Sequence, residues 1–114
     1  LNKKIKMIVD AIFEKKGLDT LLIDLTNISY ITDYFIITTG ISSVQTNAIK
    51  ENIYRKMKKS YRNVNIEGEK TGEWILMDYG DVVVHIFQPE EREKYSLESL
   101  WGDGEKTYFK ENDN

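Results

Sequence analysis

The sequence predicts a mixed α/β fold, a five-stranded mixed sheet flanked by helices. Three observations carry this. A stretch of helical period opens the chain. A second, longer one separates two short apolar strands from everything that follows. Residues 73–87 then read as a tight hairpin. A strand, a long helix and another strand imply one right-handed crossover, and the hairpins imply antiparallel neighbours. Strand order does not follow from the pattern alone.

Taken in order, Ile5, Ile8, Val9, Ile12 and Phe13 repeat at the spacing of one helix face, giving a first helix over about residues 2–16. Lys15 and Lys16 suit the negative end of its dipole, and Gly17 is the expected cap. Leu21 to Leu25 is a short strand. A polar, turn-like segment from Thr26 to Asp33 carries Tyr30 and Ile31 inside it. Tyr34 to Thr38 is continuously apolar until its end, which places it centrally in the sheet. The turn Thr39-Gly40-Ile41-Ser42-Ser43 feeds a helix over about residues 43–59, with Ser42 or Ser43 as N-cap. Its expected apolar stripe is Ile41, Val44, Ala48, Ile49, Ile53 and Met57. Lys50, Arg55, Lys56, Lys58, Lys59 and Arg62 put positive charge on its outer side and its end.

Asn63 to Glu67 alternates as a short strand, and a Gly-flanked loop, Gly68 to Gly72, leads into the hairpin. Gly80-Asp81 is a two-residue connection of the kind that suits a primed turn. That register pairs Trp74 with Phe87, Ile75 with Ile86, Met77 with Val84 and Tyr79 with Val82. One face then carries Ile75, Met77, Tyr79, Val82, Val84 and Ile86. The other carries Trp74, Leu76, Asp78, Val83, His85 and Phe87. Both faces are largely apolar, where a half-buried hairpin would show only one. The second face is therefore covered within the fold or meets a partner, and the sequence favours the partner. Pro89 starts a helical turn with Glu90 and Glu91 at its favourable end. Ser96 can cap a short helix holding Leu97, Leu100 and Trp101. The pattern then fades, so the reading is one domain over residues 1–101 and a charged, mobile tail over 102–114.

The totals narrow the function classes. A chain of 114 residues suits a single core, and a net charge of −3 gives no global attraction to nucleic acid. With no cysteine and one histidine, disulfides, cysteine-zinc sites and purely histidine-based metal sites are excluded. The missing cysteines fit a cytoplasmic protein. No apolar run reaches the roughly 20 residues of a membrane helix.

Catalysis finds little support. A strand-to-helix turn such as Thr39–Ser43 can bind anions, and a Gly-Ser turn of this shape holds triphosphate in nucleotidyltransferases. Such enzymes also need paired carboxylates on a neighbouring strand to hold the activating metal ions. Asn65-Ile66-Glu67 offers one carboxylate there, while Asp78 and Asp81 flank a turn. Ser42 and Ser43 read better as caps. His85 has no nucleophile-elbow serine to serve. No cofactor, metal site or catalytic residue is expected.

Several pieces in fixed order resemble the ribosomal silencing factor family, also called Iojap-like. They are Asp33-Tyr34-Phe35, Thr39-Gly40 with Ser42-Ser43 and Gln45, Gly72 with Trp74, the run from Asp78 to Phe87, Arg92 to Tyr95, Leu97-Glu98 and Leu100-Trp101. The resemblance covers nearly the whole chain up to Trp101. It implies a nucleotidyltransferase-like fold that lacks the catalytic carboxylates. It further implies binding to the large ribosomal subunit through the universal large-subunit ribosomal protein fourteen. Joining of the small subunit would be blocked and translation repressed when nutrients run short. Homodimers of the free protein are implied as well. On this reading the docking residues are Trp74, Leu76, Asp78, His85 and Phe87, with Tyr79 and Tyr95 at the rim. Arg55, Lys58 and Lys59 are the candidates for contact with ribosomal RNA. The competing expectation is a small nucleotide-binding enzyme using the Gly40–Ser42 turn.

Overall fold

A computed structural model describes residues 2–110. The element order is α1 (Lys3–Glu14), β1 (Leu18–Asp24), β2 (Tyr34–Thr39), α2 (Ser43–Met57), β3 (Asn65–Glu67), β4 (Trp74–Asp78), β5 (Val82–Phe87), α3 (Pro89–Tyr95), α4 (Leu97–Leu100) and β6 (Glu105–Tyr108). Six strands form one sheet in the order β3-β4-β5-β2-β1-β6. Among the described residues only β2 and β5 pair in parallel; the other neighbours are antiparallel. The central place of β2 agrees with its apolar sequence.

The sheet has one strand more than the sequence pattern predicts. β6 pairs with β1 from Leu21↔Tyr108 to Asp24↔Glu105. It lies in the segment expected to be a mobile tail, so the fold does not end at residue 101. The strand is polar and mostly exposed, and backbone hydrogen bonds need no apolar alternation to form. Residues 111–114 of the expected tail lie outside the described residues.

α1 and α2 pack side by side on one sheet face. Ile5, Ile8, Ile12, Ile49, Ile53 and Met57 meet Ile36, Ile75, Met77, Val84 and Ile86 there, all 1% exposed or less. Asn2 caps α1 by accepting from the Ile5 N–H at 2.8 Å. At the other end the left-handed residue is Lys16 (φ 65), not Gly17. The Gly17 N–H reaches back to the Ile12 carbonyl and the Lys16 N–H to that of Phe13, a Schellman closure. Glycine is needed at position 17 for room. A Cβ there would lie 2.3 Å from Ile12 Cγ2 and 2.7 Å from Thr38 Oγ1.

Ser42 caps α2 as expected, accepting from the Gln45 N–H at 3.1 Å. Gln45 Oε1 accepts in turn from the Ile41 N–H at 2.7 Å, and its Nε2 donates to the carbonyls of Lys15 and Lys16, tying the two helices end to end. Ile41 and Val44 do not join the core stripe; they stand 69% and 79% exposed, and the inward place at this end of α2 is taken by Thr46, which donates to the Gly72 carbonyl at 2.6 Å. Lys50 is not on the outer side either. It is 7% exposed and donates to Glu51 and Glu69 at 2.7 and 2.8 Å. Burial opposes its charge, but these two carboxylates win and raise its pKa.

A candidate docking groove on the second sheet face

The hairpin register is the predicted one, with Trp74 opposite Phe87, Leu76 opposite His85 and Met77 opposite Val84. Gly80 takes φ 89 and closes the turn, where the Tyr79 N–H donates to the Val82 carbonyl at 2.9 Å. The second face is largely covered within the fold. α3 and α4 lie across it, held by Arg92, whose guanidinium donates to Glu98 Oε2 at 3.2 Å and to Thr39 Oγ1 at 2.8 Å. Beneath them Leu21, Ile23, Leu25, Ile37, Phe87 and Leu97 form a second core cluster. Two seven- and four-residue helices carry too little periodic signal to announce this cover.

Phe87 is therefore a core residue, fully buried, rather than a docking anchor. Trp74 is half-buried beside it. Its ring stacks on Phe87 with centroids 5.0 Å apart and meets Tyr95 at 4.6 Å. Tyr95 stays 43% exposed at the edge of this stack. Tyr79 is on the other face, as its register requires, and is 7% exposed within the α1–α2 core. Burial, with Tyr54 nearby, pushes its hydroxyl up to about 12. It does not share a surface with the remaining candidates.

Leu76, Asp78 and His85 do come together. They line an open groove of about 220 Å³, closed on the far side by Ser29, Ile31 and Thr32 of the β1–β2 connection and bounded by Phe35, Val83 and Trp101. None of the lining residues is a cation, so the groove is not built for phosphate. Asp78 is its only carboxylate and accepts from the Gly80 N–H at 2.8 Å. Ile31, one of the lining residues, is 92% exposed, and Tyr30 before it in the chain is wholly exposed. Sequence reasoning missed this wall. The signal was two large apolar residues inside a polar turn, a combination that burial does not require.

His85 sits in the groove at 4% exposure. The Trp74 Nε1–H donates to its Nδ1 at 3.1 Å, and the Phe35 ring packs against it edge-on at 4.5 Å. Burial holds its pKa down at about 4, so the ring is neutral at pH 7.

The basic residues divide. Arg55 is held by the Asn52 side-chain oxygen, and Asn52 is itself buried, donating to the Ala11 carbonyl and to Glu14. Lys56 pairs with Glu14 at 2.9 Å. The hydrogen bonds from Asn52 and Lys56 lower the Glu14 pKa. Lys58 and Lys59, by contrast, line a second concavity of about 360 Å³ together with Tyr54 and Arg62. Arg55 stays exposed on the same helix, and Arg62 joins Lys58 and Lys59 beyond its end. The larger polar cleft around Asp19, Thr20 and Arg92, about 450 Å³, includes the Arg92–Glu98 pair. Among the described residues no three His, Asp or Glu side chains gather where a metal ion could sit. None of the helices among them is long and apolar enough to cross a membrane.

Fold and site together define a mixed α/β protein with an apolar groove between a sheet and a loop. Comparison with known proteins then gives the family. The family described as "Ribosomal silencing factor during starvation" matches residues 1–114. The chain belongs to this ribosomal silencing factor family. The ribosomal silencing factor of Bacillus subtilis is 40% identical over 106 residues, covering 90% of each chain. The mouse protein named "Mitochondrial assembly of ribosomal large subunit protein 1" is 34% identical over 101 residues, 85% of this chain and 44% of that one. A crystal structure of a Chromobacterium violaceum protein superposes with a TM-score of 0.84 at 34% identity, covering 88% of this chain and 84% of that chain.

Proposed function

We propose that the protein is a translational repressor that docks on the large ribosomal subunit through the universal large-subunit ribosomal protein fourteen. It blocks joining of the small subunit by occupying space, without catalysis or cofactor, under nutrient limitation in the cytoplasm. The observation that carries this is the groove, an apolar, cation-free opening beside two exposed apolar residues on a chain of the silencing family. Apolar grooves with aromatic walls are protein-binding features, whereas RNA phosphate needs cations. The docking surface is Leu76, Asp78 and His85 with Ile31, Phe35 and Trp101, braced by Trp74 and Tyr95. Lys58, Lys59 and Arg62 add a salt-dependent contact to ribosomal RNA from the α2 end, and Tyr54 offers a ring for a base to stack on. The free protein is a homodimer.

The test is sedimentation with isolated large subunits, paired with a subunit-joining assay. Leu76→Asp puts a charge into the groove at a half-buried position. It should keep its melting temperature within a few degrees, lose sedimentation and restore joining. Replacing Lys58 and Lys59 by Glu should weaken sedimentation and flatten its dependence on salt. Full blocking of subunit joining by Leu76→Asp would refute the groove as the docking site. Nucleoside triphosphate turnover abolished by changing Ser42 or Glu67 would favour the enzymatic alternative.

A further inference from the structure

Three buried side-chain polar atoms find no hydrogen-bond partner among the described residues: Tyr79 Oη, Thr32 Oγ1 and His85 Nε2. The last two belong to residues that line the groove. The tautomer of His85 follows from its other nitrogen. An indole N–H can only donate, so the Nδ1 that accepts from Trp74 at 3.1 Å carries no hydrogen. A neutral imidazole then keeps its hydrogen on Nε2. His85 is consequently a fixed donor with nothing to donate to. The Phe35 ring is its near neighbour at 4.5 Å, and a ring is a much weaker acceptor than a carbonyl oxygen. Native proteins rarely leave a buried N–H orphaned, and the residue that carries this one lines open volume.

We propose that the groove is built for a polypeptide segment of the docking partner, in which an amide carbonyl oxygen accepts from His85 Nε2–H while an aliphatic side chain fills the space between Leu76, Phe35 and Trp101. Trp74 is then a positioning residue: its indole N–H fixes the tautomer that faces the partner. The Thr32 hydroxyl, both donor and acceptor, is the second polar group offered to the same backbone. A purely hydrocarbon occupant would leave both groups unsatisfied, and a carboxylate would face Asp78. The proposal rests on the docking reading above and specifies its chemistry.

The experiment compares wild type, His85→Phe and His85→Gln. Each is measured for thermal melting and for sedimentation with isolated large subunits, and the wild-type imidazole is assigned by nitrogen-15 NMR. The side-chain nitrogen of Gln falls near the position of imidazole Nε2, so it restores a donor. His85→Phe keeps the ring shape and removes the donor; it should bind about ten-fold or more weakly. His85→Gln should recover most of that loss. The free protein at pH 7 should show hydrogen on Nε2. Hydrogen on Nδ1, or His85→Phe binding as tightly as wild type, overturns the proposal and leaves the docking reading intact. Wild type that fails to sediment overturns both. If His85→Phe does not fold, the NMR assignment and His85→Gln decide. Gln with wild-type affinity and hydrogen on Nε2 in wild type support the donor. Gln that melts normally and binds ten-fold weaker refutes it.

Discussion

Trp74→Ala tests how the second face is packed, and the structure says how large the effect on stability is. The indole touches Phe87, Tyr95 and His85, with centroids between 4.6 and 5.9 Å. Truncating a fully buried Trp costs roughly 3–5 kcal/mol. Trp74 is only half-buried, so its packing share is about 2 kcal/mol. Removing the indole N–H also strips His85 Nδ1, itself buried, of its donor, adding about 1 kcal/mol. The sum is about 3 kcal/mol, and in a domain of this size each kcal/mol moves the melting temperature by about 4 °C. Trp74→Ala should therefore melt about 10 °C early. Trp74→Phe, which keeps a ring and loses the N–H, should fall by roughly half as much. The assay is thermal unfolding followed by circular dichroism, with Ile75→Ala as a core control at a position with no exposure. If Trp74→Ala melts within 2 °C of wild type (a margin of about 0.5 kcal/mol), the ring stack does not hold the second face together. Trp74 would then be a free surface anchor.

Two further outcomes are open to measurement. His85 has a folded pKa of about 4 against an ordinary value of 6.5, so the unfolded chain binds its proton first as pH falls. Stability from this group is complete above pH 6.5 and is lost between 6.5 and 4, by up to about 3 kcal/mol. The difference in unfolding free energy between wild type and His85→Gln should track that window, and a difference independent of pH would show that the imidazole is not held neutral. Ending the chain after Gly104 removes β6, with its ladder on β1 and the Phe109 N–H bond to the Thr20 carbonyl. It should cost on the order of 2 kcal/mol and provoke aggregation through the bared β1 edge. Unchanged melting and solubility would make β6 dispensable.

What the sequence disclosed depended on period. The hairpin register was legible because a two-residue turn at Gly80-Asp81 admits one pairing, and a one-residue slip would turn Ile75 and Met77 outward. β2 was legible as central because only a strand buried on both faces reads Phe35-Ile36-Ile37. β6 was not legible, since Glu105-Lys106-Thr107-Tyr108 joins the sheet by backbone hydrogen bonds on an exposed edge. The site was half legible. Apolar residues on both hairpin faces showed that the second face needs cover, but not that Leu97 and Phe87 supply it while Leu76 and His85 remain at the opening. Charge counting misplaced Lys50 for a related reason. A cation's role depends on which carboxylate lies opposite, and Glu69 is brought there by a tertiary contact.

The single parallel pair at the centre of the sheet sets an order of events during synthesis. α1, β1, β2 and α2 are complete once Met57 has been made, and their contacts are mostly local. β2 still lacks its other neighbour, because Tyr34 must wait for Val82 and Thr39 for Phe87. The groove comes later still: its walls include Phe35, Leu76 and His85, and its last side, Trp101, lies beyond α4. A growing chain therefore carries an unfinished sheet until β5 is made and acquires its opening only once Trp101 is in place. A silencing factor made this way cannot engage a partner through the groove until residue 101 has been added.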